Sequence, residues 1–291
     1  MTSIICWLNT DENEFFPGLW AVSDSLVCSG AEPITDALPK LFPLPVNLYD
    51  ISDSILKQNP NNLLNIGYGF AGSTLIGTAV KDILTMCLDN LSEISHIRNC
   101  EEVELSIDKR MPSIKDIAFL TGRIAKKYIM SMGYYHPKNA KCEIVLFGYC
   151  KKNKAYKIFV IRNTPNHQDN IIVDEKNLEE SPYVILGDKK NEVLDMIKIK
   201  NELCLSTRYQ TGRGPIIALQ QIIKNELSTT IGGHLQICIA SRLKSLTMYT
   251  SVLSEEGYFP FLGFSHEEIG LLGGFSINKG FGLKVFDDLL D

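Results

Sequence analysis

Hydrophobic positions in the first part of the chain predict a hairpin of two β-strands. Residues 3–8 and residues 19–22 are apolar runs, and the segment between them contains Asp11, Pro17 and Gly18. The polar segment 47–62 predicts an inserted loop. Other short apolar runs predict further strands at residues 39–46, 63–66, 143–148, 156–161, 183–186 and 235–240.

Apolar residues recur at helical spacing in four other segments. Ser73 is a candidate N-cap for a helix over 73–96, and Pro112-Ser113 opens a second helix that ends near 132, before Gly133. The remaining two helices are predicted over 191–199 and from Gly214-Pro215 to 227. Because the helices come in consecutive pairs, the pattern argues against repeated βαβ units and favours an α/β layered sandwich of sheets covered by helix pairs.

Composition narrows the class of protein. Apolar residues make up 45% and charged residues 22% of the 291 positions, which is typical of a folded domain with a sizeable core. A net charge of −5 predicts no nucleic-acid or membrane partner. Eight scattered cysteines without a C-x-x-C pair, and no run of 18 apolar residues, predict a reduced cytoplasmic protein. The five histidines show no metal-ligand spacing, so neither metal nor cofactor is expected.

Candidate chemistry begins at the first residues. Removal of Met1 would leave Thr2 with a free α-amine, whose pKa is about 7.7–8.0, beside its own hydroxyl. Such an amine can act as a general base near neutral pH. Asp24 and Lys40 follow, and a buried lysine needs a carboxylate partner of this kind. Together these residues predict an N-terminal nucleophile.

The glycine pattern Gly67-x-Gly69-x-x-Gly72 allows three interpretations. It follows a predicted strand and precedes a predicted helix, as in the dinucleotide-binding fingerprint. The acidic residue expected about 20 positions later would be Asp89, which falls inside the predicted helix rather than after a second strand. The segment is alternatively a structural turn, or a turn in which the Gly72 N–H stabilises an oxyanion next to the helix start.

Taken in order, these residues resemble the proteasome β-subunit family of N-terminal nucleophile (Ntn) hydrolases, including its bacterial peptidase relatives. The likeness lies in Thr2, the segment 21–25 with Asp24, Lys40, the segment 70–73 with Gly72, and Gly232-Gly233 after the fourth helix. It implies a four-layer αββα sandwich of two antiparallel sheets over residues 2–245. It also implies that Thr2 attacks a carbonyl, that the α-amine and Lys40 handle the proton, and that Asp24 holds Lys40.

The resemblance is weaker at a second cluster. Asp188 falls where the family has a serine that contacts the nucleophile, and Ser228 and Ile231 replace an acid and a serine before the glycine pair. Asp188 and Ser228 are therefore possible supporting residues. The expected function is a threonine peptidase that acts on a peptide or protein substrate. The alternatives are a catalytically silent scaffold or binding subunit, and a nucleotide-binding protein that uses residues 67–72.

Residues 246–291 lie beyond the resemblance. This extension is rich in aromatic and aliphatic residues and is too short to form its own core. We expect it to contact a neighbouring subunit or partner. The resemblance implies homo-oligomers and leaves open an ATPase or other protein partner.

Overall fold

The computed structural model describes residues 2–11, 17–30, 32–49, 60–92, 106–164, 167–206, 211–243, 247–252, 261–262, 264, 266–277 and 281–283. Its strands form two six-stranded sheets. The first sheet has the spatial order β11 (Tyr183–Gly187), β1 (Ser3–Asn9), β2 (Gly18–Ser23), β12 (Gln236–Ser241), β13 (Thr247–Val252) and β16 (Phe281–Leu283). The second has the order β10 (His167–Lys176), β9 (Ala155–Thr164), β8 (Cys142–Cys150), β6 (Asn61–Gly72), β5 (Leu41–Tyr49) and β7 (Leu91–Ser92).

Two small hairpins and six α-helices accompany the two sheets. The hairpins are β3 (Val27–Ser29) with β4 (Glu32–Thr35), and β14 (Leu271–Leu272) with β15 (Phe275–Ser276). Six α-helices are described: α1 (Thr74–Leu88), α2 (Ile107–Arg110), α3 (Ile114–Tyr135), α4 (Lys190–Ser206), α5 (Gly214–Lys224) and α6 (His266–Ile269). The mixed α+β class is therefore confirmed.

Three apolar clusters hold the sheets and helices together. One contains side chains from both sheets, such as Ile4 of β1 and Val145 of β8. A second joins the other face of the second sheet to α1 and α3, and a third joins the other face of the first sheet to α4 and α5. Each sheet therefore has apolar side chains on both faces, whereas a sheet with one solvated face would alternate apolar and polar residues. The four-layer order of the whole fold stays a prediction.

The prediction of wholly antiparallel sheets is wrong at two edges. β16 pairs parallel with β13 in the first sheet, and β7 pairs parallel with β5 in the second. The second pairing also corrects the first helix, because α1 ends at Leu88 with Asp89 as its C-cap rather than continuing to residue 96. Leu91 continued the helical spacing in the sequence, but it lies in β7.

Other predicted boundaries need smaller corrections. α3 runs through Gly133 to Tyr135, since one glycine inside a long helix costs only about 1 kcal/mol relative to alanine. The ends of the predicted loop 47–62 belong to β5 and β6, where Asn47 pairs with Asn62, and residues 50–59 lie outside the described residues. β10 had no predicted counterpart.

Much of the extension 246–291 also lies outside the described residues. Within the described part, β13 pairs with β12 and carries β16 at the sheet edge. These strands continue the sheet that contains β1. The domain boundary at 245 and the partner contact stay predictions.

Candidate functional site

Thr2 lies immediately before β1, a strand that is flanked by β11 and β2 in the first sheet. Thr2 is only 5% exposed to solvent. The Thr2 carbonyl accepts a hydrogen bond from the Asp188 N–H at 2.9 Å, just beyond the end of β11. Gly187 approaches so closely that a Cβ on it would lie 1.8 Å from the Thr2 carbonyl oxygen. The end of β11 therefore fixes the backbone of Thr2.

Asp24 and Lys40 form a buried ion pair next to this position. Asp24 follows β2, Lys40 precedes β5, and the two side chains are 0% and 1% exposed. Lys40 Nζ donates to Asp24 Oδ1 at 3.0 Å, and the Ser3 N–H donates to the same oxygen at 2.9 Å. Lys40 Nζ therefore lies within two hydrogen-bond lengths of the residue that follows Thr2. The structure brings together Thr2, Asp24 and Lys40, although they are far apart in sequence.

Burial pushes both members of this pair toward their neutral forms. Desolvation raises the pKa of Asp24, while the Lys40 charge and hydrogen bonds from the Ser3 and Gly232 N–H groups act in the opposite direction. Desolvation lowers the pKa of Lys40, against the attraction of Asp24. A lysine with a lowered pKa is more readily neutral near physiological pH, as a general base must be.

Several backbone and polar groups hold the lysine in place. Lys40 Nζ also donates to the Leu26 carbonyl at 2.6 Å. The Lys40 N–H donates to Gln236 Oε1 at 2.8 Å, and Gln236 Nε2 donates to the Leu38 carbonyl at 2.8 Å. Gln236 was not among the predicted site residues. Its sequence signal is an amide at the start of an apolar strand, where a buried amide needs partners.

The glycine pair 232–233 packs against Asp24 and the residues that follow it. Gly232 donates its N–H to Asp24 Oδ2 at 3.2 Å and accepts the N–H of Leu26 at 3.0 Å. Gly233 has φ +75°, and a Cβ there would lie 2.4 Å from both the Asp36 carbonyl oxygen and Ser25 Oγ. Larger residues would therefore push the pair away from Asp24.

Gly72 is the last residue of β6, and Ser73 caps α1 by accepting the Ile76 N–H. Gly72 has φ +95°, and a Cβ on it would lie 2.6 Å from the Lys141 carbonyl oxygen. The preceding Ala71 has its Cβ 3.4 Å from the place that a Cβ on Gly187 would occupy. Gly72 therefore directly follows a residue that lies against the end of β11, and it lies at a helix start that favours negative charge.

The structure corrects the interpretation of residues 67–72 as a turn. Gly67 and Gly69 lie inside β6, which pairs antiparallel with β5 and β8. A Cβ on Gly67 would lie 2.2 Å from the Phe147 ring, and one on Gly69 would lie 2.9 Å from the Leu41 side chain. These two glycines make room for protein side chains, whereas the fingerprint needs glycines that admit a pyrophosphate at a parallel strand's end.

The three residues of the second cluster, Asp188, Ser228 and Ile231, have different surroundings in the structure. Asp188 contacts Thr2 through its backbone N–H. The Ser228 hydroxyl lies 3.3 Å from Thr230 Oγ1 and accepts the Thr230 N–H at 3.2 Å. The Ile231 side chain packs in the cluster under α4 and α5. Of the three, Asp188 is the one for which a direct contact to Thr2 is seen.

The fold therefore places a buried lysine beside the start of its first strand. No family model matches the chain, and no curated protein matches it. One similar solved structure is Anbu (ancestral beta-subunit) from Yersinia bercovieri, which is 18% identical in sequence. It has a TM-score of 0.52, and the match covers 85% of this chain and 86% of that chain. A second is an Anbu (Gly-1) mutant from Hyphomicrobium sp. strain MC1, with 12% identity and a TM-score of 0.51 over 85% of each chain. The Anbu complex from Pseudomonas aeruginosa, solved as a helical assembly, has 14% identity and TM-score 0.52 over 85% of each chain.

These matches correct the family that the sequence resembles. The assignment to the proteasome β-subunit family and its bacterial peptidase relatives is wrong, because the matching solved structures are Anbu proteins. At these identities the likeness shows the fold alone. Within the described residues, no helix is both long and apolar enough to cross a membrane.

Proposed function

We propose that this chain is a threonine-type N-terminal nucleophile hydrolase, most simply a peptidase, that works through an acyl-Thr2 intermediate. One observation carries the proposal: the Lys40 ammonium and the Ser3 N–H share one buried oxygen of Asp24. This sharing ties a lysine of lowered pKa to the strand start that bears the hydroxyl of Thr2. Perturbed pKa values of this kind concentrate at functional sites.

The proposed reaction needs Met1 to be removed, so that Thr2 carries a free α-amine. The Thr2 Oγ1 attacks the substrate carbonyl carbon, and its proton passes to the α-amine or to a neutral Lys40. The C–N bond of the tetrahedral intermediate then breaks, and the departing amine takes up that proton. Water hydrolyses the resulting ester, which regenerates the Thr2 hydroxyl and releases a carboxylic acid.

Two groups have supporting roles in this proposal. The Gly72 N–H is the candidate oxyanion donor, because it lies at the start of α1, where backbone dipoles favour negative charge. Asp24 keeps Lys40 in place through the ion pair and through its contacts with Ser3 and Gly232. Removal of either partner would leave a buried charge without compensation.

The proposal also covers the scaffold, the substrate, the assembly and the compartment of the enzyme. We infer a four-layer αββα scaffold, a peptide or protein substrate and a homo-oligomeric cytoplasmic protein. The likeness to the helically assembled Anbu complex supports the oligomer. The described cysteines, which are free thiols, are consistent with a reducing compartment.

A catalytically silent scaffold or binding subunit is the second candidate. It is favoured by the second cluster, where Ile231 is buried among apolar side chains and Ser228 interacts with Thr230. Neither contact supports a nucleophile at Thr2. In this alternative, the ion pair of Asp24 and Lys40 would serve the fold alone.

The deciding experiment combines intact-mass analysis with covalent labelling. The expected result is a chain that lacks Met1 and forms a Thr2 adduct with a β-lactone, which acylates the hydroxyl. Labelling should be lost in Thr2→Ala and Lys40→Ala, and retained in a control such as Ser92→Ala of the edge strand β7. Retained Met1 would rule out the mechanism, and a processed chain that no β-lactone or epoxyketone labels would favour the silent subunit.

A further inference from the structure

The Glu143 carboxylate joins the two sheets next to Thr2. It is the second residue of β8, and its Oε2 accepts the Gly187 N–H at the end of β11 at 2.8 Å. Lys190, the first residue of α4, places its Nζ 2.8 Å from Glu143 Oε1 and 3.0 Å from Oε2. One side chain therefore connects β8, β11 and α4.

Gly187 is also the residue whose backbone lies against Thr2. Its φ is +88°, and a Cβ would lie 1.8 Å from the Thr2 carbonyl oxygen. The next residue, Asp188, donates its N–H to that oxygen at 2.9 Å. Because Glu143 holds the Gly187 N–H, it restrains the backbone whose following N–H binds Thr2.

Glu143 borders the proposed oxyanion donor as well. In the ladder between β6 and β8 it is the partner of Ala71, the residue before Gly72. Its neighbour Cys142 is the partner of Gly72. Glu143 therefore contacts the end of β11, which binds Thr2, and pairs with the end of β6, which carries Gly72.

We propose that Glu143 is a positioning residue for Thr2, held in its orientation by Lys190. The effect of Glu143 on catalysis rests on the proposed hydrolase function, whereas its restraint of the Gly187–Asp188 backbone does not. Glu143 and Lys190 are 25% and 42% exposed, so the pair itself should add little to global stability. Its contribution is the position of the nucleophile, for which small displacements have large effects on rate.

Four variants separate the positioning role from general stabilisation. Glu143→Ala removes both contacts, Glu143→Gln keeps an oxygen that can accept the Gly187 N–H, and Lys190→Met removes the cation. Glu175→Ala is the control, because Glu175 forms the same kind of carboxylate–lysine pair with Lys157, between β9 and β10. Each variant is measured for hydrogen exchange at the Asp188 amide, for the rate of Thr2 acylation by a β-lactone, and for Tm.

In Glu143→Ala, we expect the Asp188 amide to exchange at least about tenfold faster, because its restraint is lost. Thr2 acylation should be about 10- to 100-fold slower, at a Tm equal to that of Glu175→Ala. Glu143→Gln should restore both rates to within about threefold of the parent protein, since the amide oxygen is still an acceptor. Lys190→Met should lie between the two.

The outcomes distinguish this inference from the proposed function. Unchanged Asp188 exchange in Glu143→Ala would overturn the positioning role, and so would equal losses in Glu143→Ala and Glu143→Gln. If the parent protein lacks Met1 and is not acylated, the hydrolase proposal fails and the exchange rates alone decide the role of Glu143. If Glu143→Ala does not fold, Lys190→Met decides: faster Asp188 exchange than in Glu175→Ala supports the role, and equal exchange overturns it.

Discussion

Two differently built regions hold the start of β1. On one side, Asp24 and Lys40 are almost fully buried, and the carboxylate of Asp24 binds the Ser3 N–H. On the other side, the end of β11 contacts Thr2 through the backbone of Gly187 and Asp188, which the partly exposed Glu143 restrains. The buried region is made of charges, and the opposite region is made of close backbone contacts.

This difference separates two requirements of the proposed nucleophile at Thr2. The buried charges perturb pKa values, because a low-dielectric site strengthens their interaction and penalises their ionisation. The backbone contacts leave little room for added volume, but they depend less on charge. Changes of charge should therefore be most damaging at Asp24 and Lys40, and changes of volume most damaging at Gly187.

Lys40→Met should have the largest effect. It leaves the buried Asp24 carboxylate without its cation, which typically destabilises a protein by about 3–5 kcal/mol. Acylation of Thr2 should also fall by about 10²–10⁴-fold, the usual contribution of a general base. Urea denaturation and β-lactone labelling measure the two losses.

Lys157→Met is the control for that change, because Lys157 pairs with Glu175 on the surface of the second sheet. It should cost less than about 1 kcal/mol and leave acylation unaltered. If Lys40→Met matched this control in acylation rate, Lys40 would have no part in the reaction. The buried region would then be structural only.

Gly187→Ala tests the opposite region. Alanine in this left-handed backbone conformation costs about 1–2 kcal/mol, and its Cβ would in addition overlap the Thr2 carbonyl oxygen. Acylation should fall by about 10²-fold, because the nucleophile is displaced. The free energy of unfolding and the labelling rate are the measurements.

Gly30→Ala is the matched control for volume. Gly30 also has positive φ, +65°, but a Cβ there would have no heavy atom within 4 Å. It should show the conformational cost without the loss of acylation. Equal acylation rates in the two variants would contradict a close contact between Gly187 and Thr2.

The pH dependence of acylation tests the buried charges more finely. If neutral Lys40 is the base, the rate should rise with pH, with a midpoint below the ordinary lysine pKa of about 10.4, because burial lowers the pKa of Lys40. The Asp24 carboxylate raises that pKa, so Asp24→Asn should lower it further. The midpoint should therefore shift to lower pH, although the maximal rate falls.

Glu175→Gln makes the same change of net charge far from this pair and should leave the midpoint in place. An upward shift in Asp24→Asn would mean that the titrating base does not sense Asp24 in this way. In that case the proton acceptor is not Lys40. The pH profile of β-lactone acylation measures both variants.

The local elements of this fold could be predicted from the sequence. The strands β1 and β2 and the starts of α1 and α3 follow from apolar spacing and from the capping residues Ser73 and Ser113. Asp24 and Lys40 could also be proposed as partners, since a buried ammonium requires a carboxylate. These signals lie within single segments or depend on one simple electrostatic rule.

Contacts between distant segments could not be predicted in the same way. Glu143 was visible only as the first residue of a predicted strand, and nothing local shows that its carboxylate would bind the Gly187 N–H in the other sheet. The glycine pattern predicts a turn at Gly67, because the sequence does not reveal that the Phe147 ring would lie against its Cα. Such contacts depend on how two sheets pack.

Ser228→Ala should have the smallest effect, and it tests whether a third region supports Thr2. The described contacts of the Ser228 hydroxyl are with Thr230, so its loss should cost about 1 kcal/mol and change acylation by less than about threefold. Thr230→Val, which removes the other hydroxyl of this pair, should behave alike. A loss of acylation in Ser228→Ala alone, at unchanged Tm, would show that Ser228 acts on Thr2 during the reaction. Support for the nucleophile would then not be confined to the buried ion pair and the end of β11.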